Sequence, residues 1–282
     1  MILIADSGST KCNWAYCTNK GKIIDIYQTI GFNPKFSNKK SIISNIKNST
    51  LYKINKKINK IYFYGAGCSS NEKKLILLNP LKEIFPYADI HIKHDLEAAI
   101  KATYEGDPII SCILGTGSNS CIYDGENIIE NAPSLGYILG DEASGNFFGK
   151  KLINLYVNNA LPADLTNKFE NWTSERKRQI INNIYTLERP NLYLASFFKF
   201  MYENKHEKII DTIFNDGISL FFDLHIKCFN DYNKYNLTFV GSVAYYLKDY
   251  IIKESLENNI KVQDIVKNPI NRLVKSHFLN KK

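Results

Sequence analysis

Two stretches of similar pattern decide the fold, ILIADSGSTKCNWAY at residues 2–16 and IISCILGTGSNSCIY at residues 109–123. In each stretch a short apolar run ends in a turn rich in glycine and hydroxyl residues, and a second apolar or alternating run follows. This pattern predicts two β-strands joined by a tight turn. Each stretch continues through a polar hairpin loop, Asn19–Lys22 or Asp124–Asn127, into a third predicted strand. Because the unit occurs twice, we expect two similar α/β lobes that face each other across a cleft.

The remaining sequence predicts helices and single strands in alternation. A capping box, Ser69 to Glu72, precedes an apolar helical run, and Glu105–Pro108 is the best lobe boundary. We therefore predict an N-terminal lobe of residues 1–107 and a C-terminal lobe of residues 108–282. Further strands are predicted at 61–64, 88–93 and 237–240, and helices at 39–50, 96–104, 142–158, over most of 165–230, and from 243 to 253.

Composition indicates a folded chain with a core of its own. The 282 residues are 44% hydrophobic, 23% charged and 13% aromatic, which is not the composition of a disordered protein. No apolar run approaches the roughly 20 residues of a membrane helix, so we expect no membrane partner. The N-terminal apolar run meets Asp6 at once and has no basic leader, so we do not expect a signal peptide.

The net charge of +8 raises the question of a nucleic-acid partner. Only four of the 36 basic residues are Arg, and the 32 Lys are scattered along the whole chain. Arg makes the bidentate contacts to phosphate and guanine that nucleic-acid recognition uses, whereas Lys is a strongly hydrated point charge. We therefore expect a solvated basic surface and no nucleic-acid partner.

The six cysteines form no Cys-x-x-Cys pair, and no histidine lies at zinc-finger spacing from them. Unpaired cysteines of this kind are typical of reduced thiols in a reducing compartment. The expected location is therefore the cytoplasm.

The two glycine turns, residues 8–11 and 115–118, have the chemistry of phosphate-binding loops. Such turns offer backbone N–H groups and hydroxyls to phosphate oxygens, and Asp6 at the end of the first strand could hold Mg²⁺ through water. Neither turn has the spacing of a Walker loop, and a strand rather than a helix follows each, which excludes a dinucleotide fingerprint. An ordinary hairpin turn is the alternative for each turn alone.

A third glycine motif, Gly241 to Ala244, follows a predicted strand and precedes a predicted helix. Small residues at a helix start let a phosphate or a flat ring approach the backbone. Close packing of the helix on the strand is the alternative.

Together, these three motifs resemble the phosphate-1, phosphate-2 and adenosine motifs of the sugar kinase, Hsp70 and actin superfamily. Within it, LGYILGDEAS at residues 135–144 is similar to the N-acetylglucosamine kinase branch of the BadF/BadG/BcrA/BcrD ATPases. The resemblance implies two ribonuclease H-like (actin-like ATPase) lobes with mixed sheets flanked by helices, and ATP and Mg²⁺ as cofactors. It implies that ATP is bound by Ser9, Thr10, Lys11, Thr116, Gly117, Ser118, Gly241 and Ser242.

The same resemblance implies a catalytic residue and a set of sugar contacts. Asp95 matches the catalytic aspartate of the family, which accepts the proton of the attacking sugar hydroxyl. Asp141 and Asn33 match sugar-binding residues. Each also has a structural alternative, since Asp95 or Asp141 could cap a helix and Asn33 could be a turn residue before Pro34.

The chain departs from its animal relatives at Leu135-Gly136, where they have Trp-Gly. An aromatic platform for the sugar would therefore come from Tyr137, beside Gly136, or from elsewhere in the chain. Glu142 is a candidate metal-side carboxylate, with an interaction with the helix dipole as the alternative. The five histidines show no ligand spacing, and we expect surface or packing roles for them.

These observations predict an ATP-dependent amino-sugar kinase, with N-acetylglucosamine phosphorylated at the 6-hydroxyl. Its partner is the small-molecule sugar, and a homodimer is left open. Alternatives are a kinase of another sugar such as N-acetylmuramic acid, an activator ATPase with a cysteine-bound iron–sulfur cluster, and a sugar sensor without turnover. A sensor without turnover would be expected to have lost the catalytic aspartate, so the presence of Asp95 disfavours it. The activator ATPase needs cysteine ligands for its cluster, so the unpaired cysteines disfavour that alternative.

Overall fold

The computed structural model describes residues 1–279 and divides the chain into two compact units. The first unit is Met1–Glu105 together with the C-terminal segment that begins at Asn268, and the second is Gly106–Lys267. The C-terminal segment distinguishes this division from the predicted lobes of residues 1–107 and 108–282.

The first unit contains a mixed five-stranded sheet. Its central strand pairs antiparallel with the second strand and parallel with the fourth, and the spatial order is β3-β2-β1-β4-β5. Apolar residues cover both faces of the central strand: Leu3 and Ala5 pack on one face, and Ile4 packs on the other. The strands are β1 (Ile2–Ser7), β2 (Lys11–Cys17), β3 (Ile23–Ile30), β4 (Lys60–Gly65) and β5 (Asp89–His94).

The second unit repeats this topology. Its sheet has the order β10-β9-β6-β7-β8, so β6 takes the place of β1, again antiparallel to the next strand and parallel to a later one. The repeated pattern at residues 2 and 109 is thus confirmed as two mixed five-stranded α/β sheets. The strands are β6 (Ile109–Leu114), β7 (Ser118–Tyr123), β8 (Ile128–Asn131), β9 (Asn236–Val240) and β10 (Val262–Val266).

Helices flank both sheets, and their buried faces form the hydrophobic cores. In the first unit they are α1 (Lys39–Lys47), α2 (Asn71–Ile84) and α3 (Asp95–Thr103), with a 3-10 helix at Thr50–Lys57. In the second unit they are α4 (Gly136–Leu139), α5 (Gly145–Val157), α6 (Ala163–Thr173), α7 (Lys177–Thr186), α8 (Pro190–Ser196), α9 (Phe198–Glu203), α10 (Lys208–His225), α11 (Ser242–Tyr246) and α12 (Lys248–Glu257), with a 3-10 turn at Tyr232–Lys234.

Several helix starts differ from the predictions. The predicted helix 142–158 begins only at Gly145, because Asp141 and Ala143 have positive φ values of 58° and 55°. Ser144 caps this helix and accepts a hydrogen bond from the Phe147 N–H, so Asp141 is not its N-cap. In the first unit the cap of α2 is Ser70 rather than the predicted Ser69.

The last helix, α13 (Ile270–Leu279), packs in the first unit rather than with the strand that precedes it. Ile270, Leu273 and Val274 are buried in one cluster with residues of β1, β2 and α3. This packing places the C-terminal segment in the first unit. Neither α13 nor β10 was predicted from the sequence.

No helix within residues 1–279 has both the length and the apolarity that a transmembrane span requires.

Candidate active site

In the first unit, the β1–β2 turn lies against the end of β3. The Ser7 hydroxyl accepts a hydrogen bond from the Phe32 N–H at 3.0 Å, and the Gly31 N–H donates to the Thr10 carbonyl at 3.1 Å. A Cβ atom on Gly31 would lie 2.0 Å from the Gly8 carbonyl oxygen, so only glycine allows this approach. The segment that follows β3 thus anchors the turn on one side, while the side chains of Thr10 and Lys11 are exposed.

Asn33 connects this turn to a second loop. Its amide nitrogen donates to the Ser9 hydroxyl at 3.3 Å, and its amide oxygen accepts from the Lys35 N–H at 3.0 Å. The same oxygen would lie 2.5 Å from a Cβ atom on Gly67, which has a φ of +78°. Asn33 is therefore well placed to order both loops, and its contact with a sugar stays a prediction.

Asp6 and Asp95 form an electrostatically coupled carboxylate pair in this unit. Burial and the nearby charge of Asp95 raise the pKa of Asp6 to about 7, and Lys11 lowers it only in part. A buried carboxyl whose pKa is raised next to a second carboxyl group is a favourable setting for a divalent cation, which relieves the repulsion. The donor chemistry therefore fits a hydrated Mg²⁺ near Asp6.

Asp95 is the first residue of α3, and His94 precedes it as the N-cap residue. The Leu96 N–H lies 3.0 Å from Asp95 Oδ1, and His94 Nδ1 lies 2.9 Å from the same oxygen. The carboxylate is about one fifth exposed. Since β1, β4 and β5 are parallel, their carboxyl ends meet at one edge, which is where open α/β sheets bind ligands.

In the second unit, the carbonyls of the β6–β7 turn bond back to the protein. Gly145 donates to the Gly115 carbonyl at 2.8 Å, the Asn146 N–H donates to the Thr116 carbonyl at 3.1 Å, and the Gly115 N–H donates to the Gly117 carbonyl at 2.9 Å. Within residues 1–279, the Gly117 N–H and the buried Ser118 hydroxyl have no hydrogen-bond partner. These are donors of the kind that a phosphate needs.

Asp141 braces this turn. A Cβ atom on Gly117 would lie 2.8 Å from Asp141 Oδ2, and Asn146 Nδ2 donates to the same oxygen at 2.7 Å. The Asn146 side-chain nitrogen also donates to the Thr116 carbonyl at 2.6 Å. The proposed sugar contact of Asp141 is untested, but its role in holding the second turn is direct.

Two further side chains fix the loop around Asp141. Glu142 is buried and pairs with His225, Oε2 to Nε2, at 2.9 Å. This histidine is buried and stacks on Phe221, which agrees with the packing role expected from sequence, and it also pairs with a carboxylate next to Asp141. Lys150 donates to the Tyr137 carbonyl, and burial lowers its pKa despite the charges of Asp141 and Glu142.

The third glycine motif is a close backbone contact. Gly241 has a φ of +129°, and a Cβ atom there would lie 2.1 Å from the Leu114 carbonyl oxygen. Its N–H donates to the Val266 carbonyl at 2.9 Å, and Ser242 begins α11. Glycine is therefore required by packing at this point, and the predicted contact with adenosine remains a prediction.

The structure brings the predicted residues together within each unit. In the first unit Asp6, Ser9, Asn33 and Asp95 lie around one sheet edge. In the second unit Asp141 contacts the Thr116–Ser118 turn, and Gly136 and Tyr137 lie in α4, shortly before it in the chain. Sequence reasoning missed His94, Asn146 and His225. Only His94 carried a signal, since it adjoins Asp95. Within residues 1–279, no group of three or more His, Cys, Asp or Glu side chains could hold a metal ion directly.

Comparison with known proteins agrees with this architecture. A putative N-acetylglucosamine kinase from Porphyromonas gingivalis is 30% identical, with a TM-score of 0.91 and 100% of both chains covered. A putative N-acetylglucosamine kinase from Chromobacterium violaceum is 12% identical, with a TM-score of 0.69 and 98% of both chains covered. A ROK family glucokinase from Streptomyces griseus is 15% identical, with a TM-score of 0.55 and 97% of both chains covered. No protein-family model and no curated protein sequence matches the chain.

Two mixed sheets of this strand order, each with a glycine turn after its first strand, define the actin-like ATPase fold of the sugar kinases. The match at 30% identity over the full length goes further than fold. The chain belongs to the sugar-kinase family that includes the Porphyromonas gingivalis protein.

Proposed function

We propose that this chain is an ATP-dependent amino-sugar kinase that phosphorylates N-acetylglucosamine at its 6-hydroxyl. We also infer that it belongs to the N-acetylglucosamine kinase branch of the BadF/BadG ATPases, on the motifs at residues 115–119 and 135–144. The observation that carries the function is the carboxylate pair Asp6 and Asp95 beside the first glycine turn. The Asp6 carboxylate is suited to binding a hydrated cation, and the Asp95 carboxylate is suited to accepting the proton of a sugar hydroxyl.

In the first unit, Ser9, Thr10 and Lys11 bind the ATP phosphates, and Asp6 holds Mg²⁺ through water. When bound, Mg²⁺ neutralises the charge of the β- and γ-phosphates. In the second unit, Gly117 and Ser118 offer an N–H and a hydroxyl to phosphate oxygens, with Thr116 beside them. Gly241 and Ser242 bind the adenosine. The Streptomyces griseus glucokinase is in complex with glucose and AMPPNP, which supports the use of a nucleotide here.

The sugar contacts Asn33, Gly136, Tyr137 and Asp141, and Asp95 accepts the proton of the 6-hydroxyl as that oxygen attacks the γ-phosphorus. Phosphoryl transfer has a loose transition state, so positioning and charge neutralisation contribute more than the base does. The preference for an acetamido sugar is supported by the names of two structural relatives. A pocket built for the acetamido group leaves polar groups unpaired when glucose binds, which discriminates against glucose.

The test is kcat/KM with ATP and Mg²⁺ for N-acetylglucosamine, N-acetylmuramic acid, glucosamine and glucose. We expect N-acetylglucosamine to be the best substrate, with the phosphate found on the 6-oxygen by NMR. Glucose equal to or better than N-acetylglucosamine would contradict the acetamido preference. ATP hydrolysis without phosphorylation of any sugar would contradict the kinase proposal.

The Asp95→Asn variant tests the catalytic role in the same assay. The change is isosteric and removes the proton acceptor, so we expect kcat to fall by about 10²–10⁴. Asp89→Asn is the matched control, because Asp89 lies on β5, the strand that leads to Asp95, with a side chain that is 62% exposed. A near-wild-type rate for Asp95→Asn would show that Asp95 only starts a helix.

A further inference from the structure

The two oxygens of the Asp95 carboxylate have different surroundings. Oδ1 lies 3.0 Å from the Leu96 N–H and 2.9 Å from His94 Nδ1. Oδ2 has no hydrogen-bond partner anywhere in residues 1–279. One oxygen is therefore committed to the protein, and the other is free to accept a proton from a ligand.

The protonation of His94 Nδ1 decides which of two neighbours it pairs with, the Asp95 carboxylate or the Leu96 N–H. A carboxylate only accepts, so the 2.9 Å contact between Asp95 Oδ1 and His94 Nδ1 is an attractive ion pair when Nδ1 carries a proton. A protonated Nδ1 cannot also accept from the Leu96 N–H, which lies 3.3 Å from it and 3.0 Å from Asp95 Oδ1. With Nδ1 protonated, the Leu96 N–H donates to the carboxylate and His94 pairs with the same oxygen.

The charges around His94 favour this arrangement. Burial alone disfavours a charged histidine, but Asp95 and Glu97 on α3 act in the opposite direction, and together they raise the pKa of His94. Lys74 on α2 opposes them. On β4, the register partner of His94 is the uncharged Gly65. His94 is a donor towards Asp95 as a cation or as the neutral Nδ1–H tautomer, and it accepts from the Leu96 N–H only as the neutral Nε2–H tautomer.

We propose that His94 is a positioning residue, which fixes Asp95 through Oδ1 so that Oδ2 is the atom that takes the hydroxyl proton. The inference rests on the proposed kinase function. The hydroxyl O–H bond breaks and its proton moves to Oδ2, while the hydroxyl oxygen bonds to the γ-phosphorus. The bond from that phosphorus to the β–γ bridging oxygen breaks, and ADP leaves with that electron pair.

Helix capping is the competing role of His94, and a pair of substitutions separates the two roles. Asn and Asp are both strong N-caps and are close to each other in size. In His94→Asn the amide nitrogen replaces Nδ1 as donor to Asp95, whereas His94→Asp offers only acceptors. His91→Asp is the control for added negative charge, because His91 lies on the same strand with a side chain that is 42% exposed.

The experiment measures kcat and KM for N-acetylglucosamine and ATP, with thermal unfolding of each variant as a check of folding. We expect His94→Asp to lower kcat about 10-fold to 100-fold with both KM values within about threefold, since misplacing a reacting group by about 1 Å costs on the order of 10² in rate. We expect His94→Asn to keep kcat within about threefold of the wild type, and His91→Asp to match the wild type.

Equal kcat values for His94→Asn and His94→Asp, or a loss confined to KM, would overturn the positioning role and leave the kinase proposal intact. If His94→Asp does not fold, His94→Gly supplies the same comparison, because glycine is tolerated at an N-cap and has no side chain that could donate. A wild-type protein that phosphorylates no sugar would overturn both proposals.

Discussion

At the scale of single residues, Asp6 is held in an environment that disfavours its charge. Burial and Asp95 raise its pKa from 3.8 to about 7. Between these pH values the native state binds more protons than the unfolded chain, so the stability that depends on Asp6 falls as pH rises. This is the pattern of a functional group retained at the expense of stability.

We predict that Asp6→Asn stabilises the ligand-free protein at pH 8 and has little effect at pH 4. The amide needs no ionisation, so the penalty disappears, and we expect a gain on the order of 1–3 kcal/mol. The measurement is denaturant unfolding at pH 4, 6 and 8 without nucleotide. Asp89→Asn is the control, since the pKa of Asp89 is lowered by His91 and its loss should bring no gain. A wild-type stability that does not depend on Asp6 over this range would contradict the prediction.

Gly117 carries a second residue-scale prediction, which depends on space rather than on backbone strain. Its φ is not positive, but a Cβ atom would lie 2.8 Å from Asp141 Oδ2. We expect Gly117→Ala to displace the braced carboxylate and to lower stability by about 1–2 kcal/mol, because one methyl group overpacks the site. Gly115→Ala is the control, with its nearest atom 4.0 Å away. Equal stability of the two variants in urea unfolding would contradict the bracing by Asp141.

The residues predicted from sequence are those whose neighbours along the chain single them out. Asp6, Thr116 and Gly117 stand in compact motifs, so their type and spacing were enough to propose them. His94 and Asn146 depend on which atom of a neighbour they contact, and His225 contacts Glu142 from 83 positions away. Composition and periodicity contain no such information, so these partners emerged only from the fold.

At the scale of elements, local rules predicted most strands and misplaced the helix after Asp141. An Asp-Glu pair before an apolar run is favourable in a first helical turn, which is why the helix was expected from residue 142. Asp141 and Ala143 instead adopt positive φ values, which a right-handed helix does not allow, and α5 begins at Gly145. The hydrogen bonds from Gly145 and Asn146 to the second glycine turn account for that start.

The Ser144 cap therefore supports two elements, and we predict that Ser144→Ala affects both stability and nucleotide binding. Loss of the cap should cost about 1 kcal/mol and loosen the start of α5 against the Gly115–Ser118 turn, which raises KM for ATP. Ser70→Ala is the matched control, because Ser70 caps α2 with the same 3.3 Å contact in the other unit. Urea unfolding and initial rates measure both effects. An equal KM for ATP in the two variants would show that the cap does not support the turn.

At the scale of the whole molecule, the chain crosses between the two units twice, near residue 105 and near residue 267. The lobe boundary expected at Glu105–Pro108 lies beside the first crossing. The second crossing was missed because α13 carries no motif, and its apolar positions Ile270, Leu273 and Val274 are equally consistent with either unit. Only the observed packing against β1, β2 and α3 decides between them.

We predict that α13 is an integral part of the first unit, and Leu273→Ala tests this. Leu273 is fully buried, and replacing a buried leucine with alanine costs about 2–5 kcal/mol. The loss should appear as weaker hydrogen-exchange protection of β1 and β2, with the amides of β6 and β9 little changed. Leu256→Ala is the control, since Leu256 on α12 is 71% exposed. If Leu273→Ala left β1 and β2 as protected as Leu256→Ala does, α13 would be a dispensable appendage, and the first unit would end at Glu105.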